Sequence, residues 1–417
     1  MRRLHQPGDS DPRSILVVLP TWVGDFVMAT PTLRAIRRRF GDAHITFLIE
    51  PNLRDLAGGG DWANEWINLP MNKGNGNARS PLSKPFRDLV WDLRRRRFDW
   101  AVLLSNSFRS ALIAWLAGAT RRFGYDRDGR GLLLTDKLPC INRRNGGTRS
   151  RGGSEPRPPG SGQQRYPSLS TTQPVKMGTS LPVKPTRFLP MPLVEYYADL
   201  AEAIGCDRPG DRFELVTTPD DNESVESRLR ELGIADRRPL VVISPGAKYG
   251  SAKCWLPQRF AAVADRLIES DNATVIVTCG PGEELIARGI GSAMKREGMV
   301  LDSPLLTLGQ LKSLIARSDL LICNDAGPRH IGKAFDIPVV TVLGPTHPDW
   351  TATAYAAERI VRVDVDCGPC QQRVCPLGHL DCIMGVTVEA VEGACRELLA
   401  ARAAAVAGAP VIPSRGL

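Results

Sequence analysis

The 417-residue chain lacks several features that would assign it at once to a common class. No apolar run approaches the roughly 20 residues that a membrane-spanning helix needs, and the first 13 residues are polar, without the apolar core of a secretory signal. Neither of its two strand-led series supplies the Gly-x-Gly-x-x-Gly loop that a nicotinamide-dependent oxidoreductase requires. We therefore expect an intracellular, cytoplasmic protein that is not a dehydrogenase.

Acidic residues are nearly missing from one segment. Residues 141–187 hold nine Lys or Arg and a single acid, Glu155, and so account for most of the net charge of +9. The rest of the chain is close to neutral, which argues against a nucleic-acid partner. The segment is rich in Gly, Pro, Ser and Thr, and this composition predicts a disordered insertion. It is either an inert spacer or a polybasic tether to anionic lipid.

Disulfides are not expected, because an intracellular protein keeps its thiols reduced. Four of the ten cysteines, Cys367, Cys370, Cys375 and Cys382, have the spacing C-x2-C-x4-C-x6-C, and His379 lies among them. The first pair is typical of half of a zinc or cluster site. Reduced thiols that pack a C-terminal loop are the alternative. We favour the thiols and predict no bound metal.

Strand-like and helix-like patterns alternate in two series. The first begins with the apolar residues 15–19 and the second with residues 240–244. Two such series predict an α/β fold of two Rossmann-like, doubly wound domains that face each other across a cleft. The predicted parts are a flexible N-terminal arm (1–13), a first domain (14–210) that contains the basic insertion, and a second domain (211–417) with a Cys-rich tail (367–382).

Candidate site residues follow three of the predicted strands, where open α/β sheets bind their ligands. After the first strand, Gly24 allows a tight turn, and Asp25 either caps the next helix or projects into the cleft. In residues 244–260, Lys253 is a compact charge suited to a phosphate oxygen. After a third strand, the helix that starts at Gly327 would present free N–H groups suited to a diphosphate.

Taken together, these motifs resemble the lipopolysaccharide heptosyltransferases of glycosyltransferase family 9, of the heptosyltransferase II type. The stretches that carry the resemblance are GDFVMATPTL, SPGAKYGSAKCWLP, NDAGPRHIGKA, LGPT and CGPCQQRVCPLGHLDC. The resemblance implies a GT-B glycosyltransferase that moves a heptose from ADP-heptose onto a sugar hydroxyl of the lipopolysaccharide inner core. It further implies inversion at the anomeric carbon and no cofactor or metal.

The resemblance also implies roles for particular residues. Asp25 would be the catalytic base, and Lys253 would neutralise the ADP leaving group. Glu283, preferred to Glu284, would bind the ribose hydroxyls. Ala326 stands where relatives usually carry Ser or Thr, which removes one hydroxyl contact with the phosphate and puts the donor sugar in doubt. The implied substrate-binding residues are Gly24, Ser244, Gly246, Lys248, Tyr249, Glu283, Asp325, Ala326, Gly327, His330 and Thr346.

The expected partners are ADP-heptose and a lipid-anchored core oligosaccharide, bound by a monomer in peripheral contact with the inner face of the cytoplasmic membrane. Acceptor contacts are predicted around residues 105–109, with Arg121 and Arg122 as further candidates. Two alternatives remain open. One is a GT-B transferase that uses another ADP- or UDP-sugar, and the other is a non-catalytic nucleotide-sugar-binding protein.

Overall fold

The computed structural model describes residues 4–5, 10–71, 80–140 and 190–407. The predicted basic insertion at 141–187 and most of the N-terminal arm lie outside the described residues. Within the described ranges, no helix is both long and apolar enough to cross a bilayer.

The N-terminal half is built on six parallel strands. They are β1 (Ser14–Val18), β2 (His44–Ile49), β3 (Glu65–Asn68), β4 (Trp100–Leu103), β5 (Arg121–Asp126) and β6 (Asp136–Pro139). Their order in the sheet is β3-β2-β1-β4-β5-β6, and the register aligns Ile15 with Ile45 on one side and with Trp100 on the other. The strand order reverses between β1 and β4, which is where a Rossmann fold opens its ligand crevice.

Helices cover both faces of this sheet, so its central strands are apolar on both sides. The helices α1 and α5 pack together on one face, while α3 and α4 enclose a separate apolar cluster on the other. Helix α1 is the helix that the alternating pattern predicts after the first strand. The bounds are α1 (Val23–Arg39), α2 (Arg54–Ala57), α3 (Lys84–Arg95), α4 (Phe108–Leu116) and α5 (Leu193–Ala203).

Helix α1 continues through Pro31, which has no N–H to donate to the carbonyl of Val27. The hydroxyl of Thr30 donates to that carbonyl instead, at 2.7 Å. This local replacement keeps the helix unbroken as far as Arg39.

The C-terminal half repeats the plan with strands β7 (Leu240–Ser244), β8 (Thr274–Thr278), β9 (Met299–Leu301), β10 (Leu320–Asn324), β11 (Val339–Val342) and β12 (Glu358–Val361). The sheet is parallel, in the order β12-β11-β10-β7-β8-β9, so its first strand again lies beside its fourth. The predicted α/β fold of two Rossmann-like halves is confirmed. The helices are α6 (Pro219–Glu231), α7 (Pro257–Asp271), α8 (Glu284–Ala293), α9 (Leu308–Arg317), α10 (Gly327–Ala334), α11 (Asp381–Met384) and α12 (Val388–Ala407).

The chain passes from the first half to the second between Glu214 and Thr218. The carboxylate of Glu214 binds Arg34 at 2.5 Å and the indole of Trp62 at 3.2 Å, and its N–H donates to the hydroxyl of Thr30 at 2.9 Å. Thr218 caps the start of α6, which packs on α9 of the second half. The domain limits that we predicted at 210 and 211 stay a prediction.

Candidate active site

The amino termini of α1 and α10 meet where the two halves face each other. A Cβ atom at Gly24 would lie 2.8 Å from Cδ2 of His330, and one at Gly327 would lie 2.6 Å from Cγ1 of Val23. Glycine permits this approach because it has no Cβ. Neither helix start has a side-chain cap, so two partial positive charges lie beside the same space.

Asp25 is the third residue of α1, and the N-cap position is occupied by Trp22. The capping role that the sequence left open for Asp25 is therefore not used. Within the described ranges, the half-buried carboxylate of Asp25 makes no hydrogen bond or ion pair. Burial raises its pKa to about 6, against the opposing charge of nearby Lys253. An unpaired carboxyl with such a pKa suits a general base.

Lys253 reaches this space from the second half. Its ammonium lies 2.7 Å from a carboxylate oxygen of Asp325 and 3.0 Å from the backbone carbonyl of the same residue. Thr346 donates to that carboxylate at 2.6 Å, and Arg329 pairs with its other oxygen at 2.8 Å. Burial alone would raise the pKa of Asp325, but Arg329 and Lys253 hold it well below its usual range. Asp325 is thus an anion that positions Lys253.

A buried charge network supports Asp325 from behind. Arg329 has no exposed surface and binds Glu358 at 2.5 Å, while Lys333 pairs with the same carboxylate at 2.6 Å. Burial and the neighbouring charge of Arg329 lower the pKa of Lys333 to about 8, although Glu358 opposes them. Sequence reasoning missed this network. The sequence feature that could have indicated it is two basic residues four positions apart, Arg329 and Lys333, on a helix that is otherwise buried.

The loops after β7 and β8 meet at Glu283. The N–H of Gly280 donates to Oε2 of Glu283 at 3.0 Å, and a Cβ atom at Gly246 would overlap that carboxylate. Ser244 is the last residue of β7, is buried, and leads into the loop that contains Gly246. In Rossmann folds an acid placed after the second strand binds ribose hydroxyls, and β8 is the second strand of its series. This placement suits the predicted role of Glu283.

Tyr249 links the Lys253 loop to the Cys-rich tail. Its hydroxyl donates to the carbonyl of Gln371 at 2.7 Å. The ammonium of Lys253 lies 4.8 Å from the centre of its ring, and the guanidinium of Arg373 lies 5.2 Å away, both within range of a cation–π contact. Lys248, in the same loop, is exposed.

The thiols of the tail lie near one another, since Cys367, Cys370 and Cys375 all raise the pKa of Cys382. Burial is the larger cause, and that pKa is about 11. In the part of the chain that the structure describes, no group of three or more His, Cys, Asp or Glu side chains is arranged to hold a metal ion. Our expectation that no metal is bound stays a prediction.

His330 and Ala326 lie at the start of α10. His330 is buried, and its Nδ1 has no hydrogen-bond partner among the described residues. Burial, helped by Arg329 and Lys333, holds its pKa well below the usual value, so the ring is neutral. It packs against Gly24 in the contact between the halves, and its role in phosphate binding stays a prediction. Ala326 leaves the helix start with backbone groups alone.

The acceptor side of the cleft follows β4. The amide oxygen of Asn106 accepts hydrogen bonds from Arg130 at 2.9 Å and from Tyr196 at 2.7 Å, so it is held by the first half itself. Arg121 and Arg122 begin β5 and lie at the opposite edge of the parallel sheet. The prediction that they contact the acceptor is therefore wrong.

Two exposed aromatic residues lie at the cleft edge: Phe108, within the segment 105–109 that is predicted to contact the acceptor, and Trp22, which was not predicted as a site residue. Trp22 follows β1 and is 41% exposed, and Phe108 follows the adjacent β4 and is 49% exposed. Aromatic faces of this kind supply contact area for a sugar ring or an acyl chain. The position of Trp22 directly after a strand, in a series of alternating strands and helices, is the signal that could have found it.

Two Rossmann-like halves with the same strand order are the architecture of GT-B glycosyltransferases. The model of glycosyltransferase family 9 (heptosyltransferase) matches residues 86–142 and 177–381, which is more than half of the chain. The chain belongs to glycosyltransferase family 9.

Relatives extend this match over most of the sequence. Lipopolysaccharide heptosyltransferase 2 of Salmonella typhimurium is 26% identical over 359 residues, which is 84% of this chain and 88% of the relative. The solved structure of Escherichia coli ADP-heptose lipopolysaccharide heptosyltransferase II has a TM-score of 0.67 at 23% identity and covers 94% of this chain and 99% of its own. A family 9 glycosyltransferase from Veillonella parvula has a TM-score of 0.70 at 18% identity over 93% and 97% of the two chains.

Proposed function

We propose that this enzyme transfers a heptose from ADP-heptose to a sugar hydroxyl of the lipopolysaccharide inner core, with inversion of the anomeric carbon. The observation that carries the proposal is the unpaired carboxylate of Asp25. It lies close enough to Lys253 for the lysine's charge to oppose the rise in its pKa, and the chain belongs to family 9. Relatives named lipopolysaccharide heptosyltransferase 2 support the choice of donor and acceptor.

In the proposed reaction, Asp25 takes the proton of the acceptor hydroxyl as its oxygen attacks the anomeric carbon. The bond between that carbon and the diphosphate oxygen breaks, and ADP leaves with the electron pair. Lys253 and the uncapped start of α10 at Gly327 stabilise the charge that grows on the diphosphate. Asp325 and Thr346 hold Lys253 in place for this task.

The remaining donor contacts follow from the loops around Lys253. The carboxylate of Glu283 accepts hydrogen bonds from the ribose hydroxyls. Gly246 leaves room for this carboxylate because it has no Cβ atom. Lys248 and Tyr249 lie in the loop that leads to Lys253, one exposed and the other beside its ammonium. At Ala326 the phosphate is bound by backbone N–H groups without a hydroxyl. We further propose a monomer that contacts the inner face of the cytoplasmic membrane peripherally, with the basic residues of 141–187 as a tether.

The direct test incubates the purified chain with a panel of nucleotide sugars and with an acceptor. The acceptor is the lipopolysaccharide of cells that lack this enzyme. We expect ADP-heptose to give the highest turnover, with the acceptor gaining the mass of one heptose. Faster turnover with another ADP- or UDP-sugar would replace the proposed donor. Binding of ADP with no transfer from any donor would favour the non-catalytic alternative.

The pH dependence of kcat/KM should report the free carboxyl of Asp25. Because burial raises its pKa to about 6, the ionised base is present above that pH and is lost as the pH falls through it. We expect kcat/KM to fall about tenfold per pH unit on the acid side. Initial rates at subsaturating donor, from about pH 5 to about pH 8, measure this limb. A profile that is flat across that range would contradict the assignment.

Glu283→Gln should raise KM for the donor about tenfold and leave kcat nearly unchanged, because a ribose contact is made equally in the ground and transition states. Glu284→Gln is the matched control, since the neighbouring carboxylate binds the N–H of Gly282 in its own turn. Steady-state kinetics with varied ADP-heptose separate the two constants. An equal rise in KM for both variants would show that Glu283 has no special role.

A further inference from the structure

Helix α4 has an apolar outer face. Its sequence, FRSALIAWL, contains one charged residue, Arg109, whereas a helix on the surface of a soluble domain normally turns charged residues outward. The buried side packs on the sheet through Ala111, Ile113 and Ala114. The other side carries Phe108 and Trp115, which are 49% and 50% exposed, together with the half-buried Leu112 and Leu116.

Neighbouring elements extend this surface. The 3-10 turn Arg130–Leu133 packs beside α4, and its Leu132 is 93% exposed. On the other side lies α3, whose Trp91 is 62% exposed. We call Trp91, Phe108, Leu112, Trp115, Leu116 and Leu132 the α4 face. Exposed apolar residues grouped in this way mark an interaction surface more often than scattered ones do.

Positive charge surrounds the α4 face. Residues 84–97 contain six Lys or Arg and two acids. Both acids are already paired, Asp88 with Lys84 and Asp92 with Arg96. Within the described chain, the guanidinium groups of the exposed residues Arg87, Arg94, Arg97 and Arg109 make no hydrogen bond or ion pair.

We propose that the α4 face binds the surface of an anionic phospholipid bilayer. Tryptophan and phenylalanine suit the boundary between headgroups and acyl chains, and arginines around them suit lipid phosphates. A second copy of this chain that packed through the same face would bring the same positive charge against it and be repelled.

The position of the α4 face indicates what membrane binding does for the enzyme. This part of the inference rests on the proposed function. Phe108 follows β4 at the same edge of the sheet from which Asp25 follows β1. A molecule that lies on lipid through this face therefore holds its acceptor cleft near the membrane surface. A lipid-anchored acceptor can then reach Asp25 without leaving the bilayer.

The test is sedimentation of the full chain with vesicles of phosphatidylcholine alone and with added phosphatidylglycerol. We expect the wild-type chain to partition onto the anionic vesicles and Trp115→Ser/Leu132→Ser to lower its partition coefficient about tenfold. Leu285→Ser is the matched control, because Leu285 is 81% exposed on α8 of the second half. Arg87→Gln/Arg94→Gln tests the charge alone and should weaken binding to the anionic vesicles several-fold.

Thermal unfolding and turnover on a delipidated acceptor complete the design, and both should match the wild type in Trp115→Ser/Leu132→Ser. Three results would overturn the proposal: no partition of the wild-type chain, equal partition of this variant, or loss of self-association in the variant without any change on vesicles. The last would make the face an interface between copies. Failure of the proposed function is distinct, since it would abolish turnover on the delipidated acceptor and leave vesicle binding intact.

Discussion

Replacement of Asp25 by asparagine is expected to lower kcat about 10²–10⁴-fold while ADP still binds with nearly wild-type affinity. The amide has the shape of the carboxylic acid but cannot take up the proton of the acceptor hydroxyl. Since the carboxylate has no bonded partner among the described residues, its loss should leave the folded structure unchanged. Single-turnover rates and calorimetric titration with ADP measure the two effects separately.

Asp42→Asn is the control for this experiment, because Asp42 is an exposed acid just before β2, at the edge of the sheet away from the cleft. Its turnover should equal that of the wild type. If Asp25→Asn retained turnover within about tenfold of the wild type, Asp25 would have no place as the base.

Lys253→Met should produce the second large loss, a fall of about 10²–10³-fold in kcat, because Lys253 is the cation that Asp325 positions to neutralise the leaving diphosphate. It should also destabilise the fold. The buried carboxylate of Asp325 would keep Arg329 but lose the ammonium at 2.7 Å, and breaking a buried pair costs about 3–5 kcal/mol. Kinetics and thermal unfolding of the same preparation measure both losses.

The double variant Lys253→Met/Asp325→Asn separates these two effects. Removing the stranded negative charge should recover part of the lost thermal stability, whereas turnover should stay low. Lys248→Met is the matched control, because this lysine is exposed and should affect donor affinity without a large change in kcat. Recovery of turnover in the double variant would mean that Lys253 acts only through the fold.

The sequence predicted the elements that form the core and missed those at the sheet edges. Strands such as β1 and β7 are continuous apolar runs, because a parallel sheet buries both of their sides. Edge strands such as β6, with the sequence DKLP, carry polar residues and have no period that marks them as strands. Their pairing comes from the neighbouring strand, which lies elsewhere in the sequence.

For the site, the sequence indicated which residues matter but not how they are paired. The resemblance implied that Asp325 belongs to the substrate-binding site, and the structure adds its contacts with Lys253 and Arg329, one of them 72 positions away in the chain. His330 looked like a phosphate partner, yet its placement depends on how closely α10 approaches Gly24. The local sequence pattern gives neither the distance between Asp325 and Lys253 nor the distance between His330 and Gly24.

The attachment of Glu214 has a consequence for how the enzyme opens. Three groups of the first half hold this residue, and Thr218 already belongs to the second half through its cap on α6. Just before Glu214, Asp211 accepts a hydrogen bond from the N–H of Ala354 and Arg212 pairs with Asp336, so the crossing segment is tied to both halves at once. Any rotation that widens the space between Asp25 and Lys253 must therefore break some of these contacts.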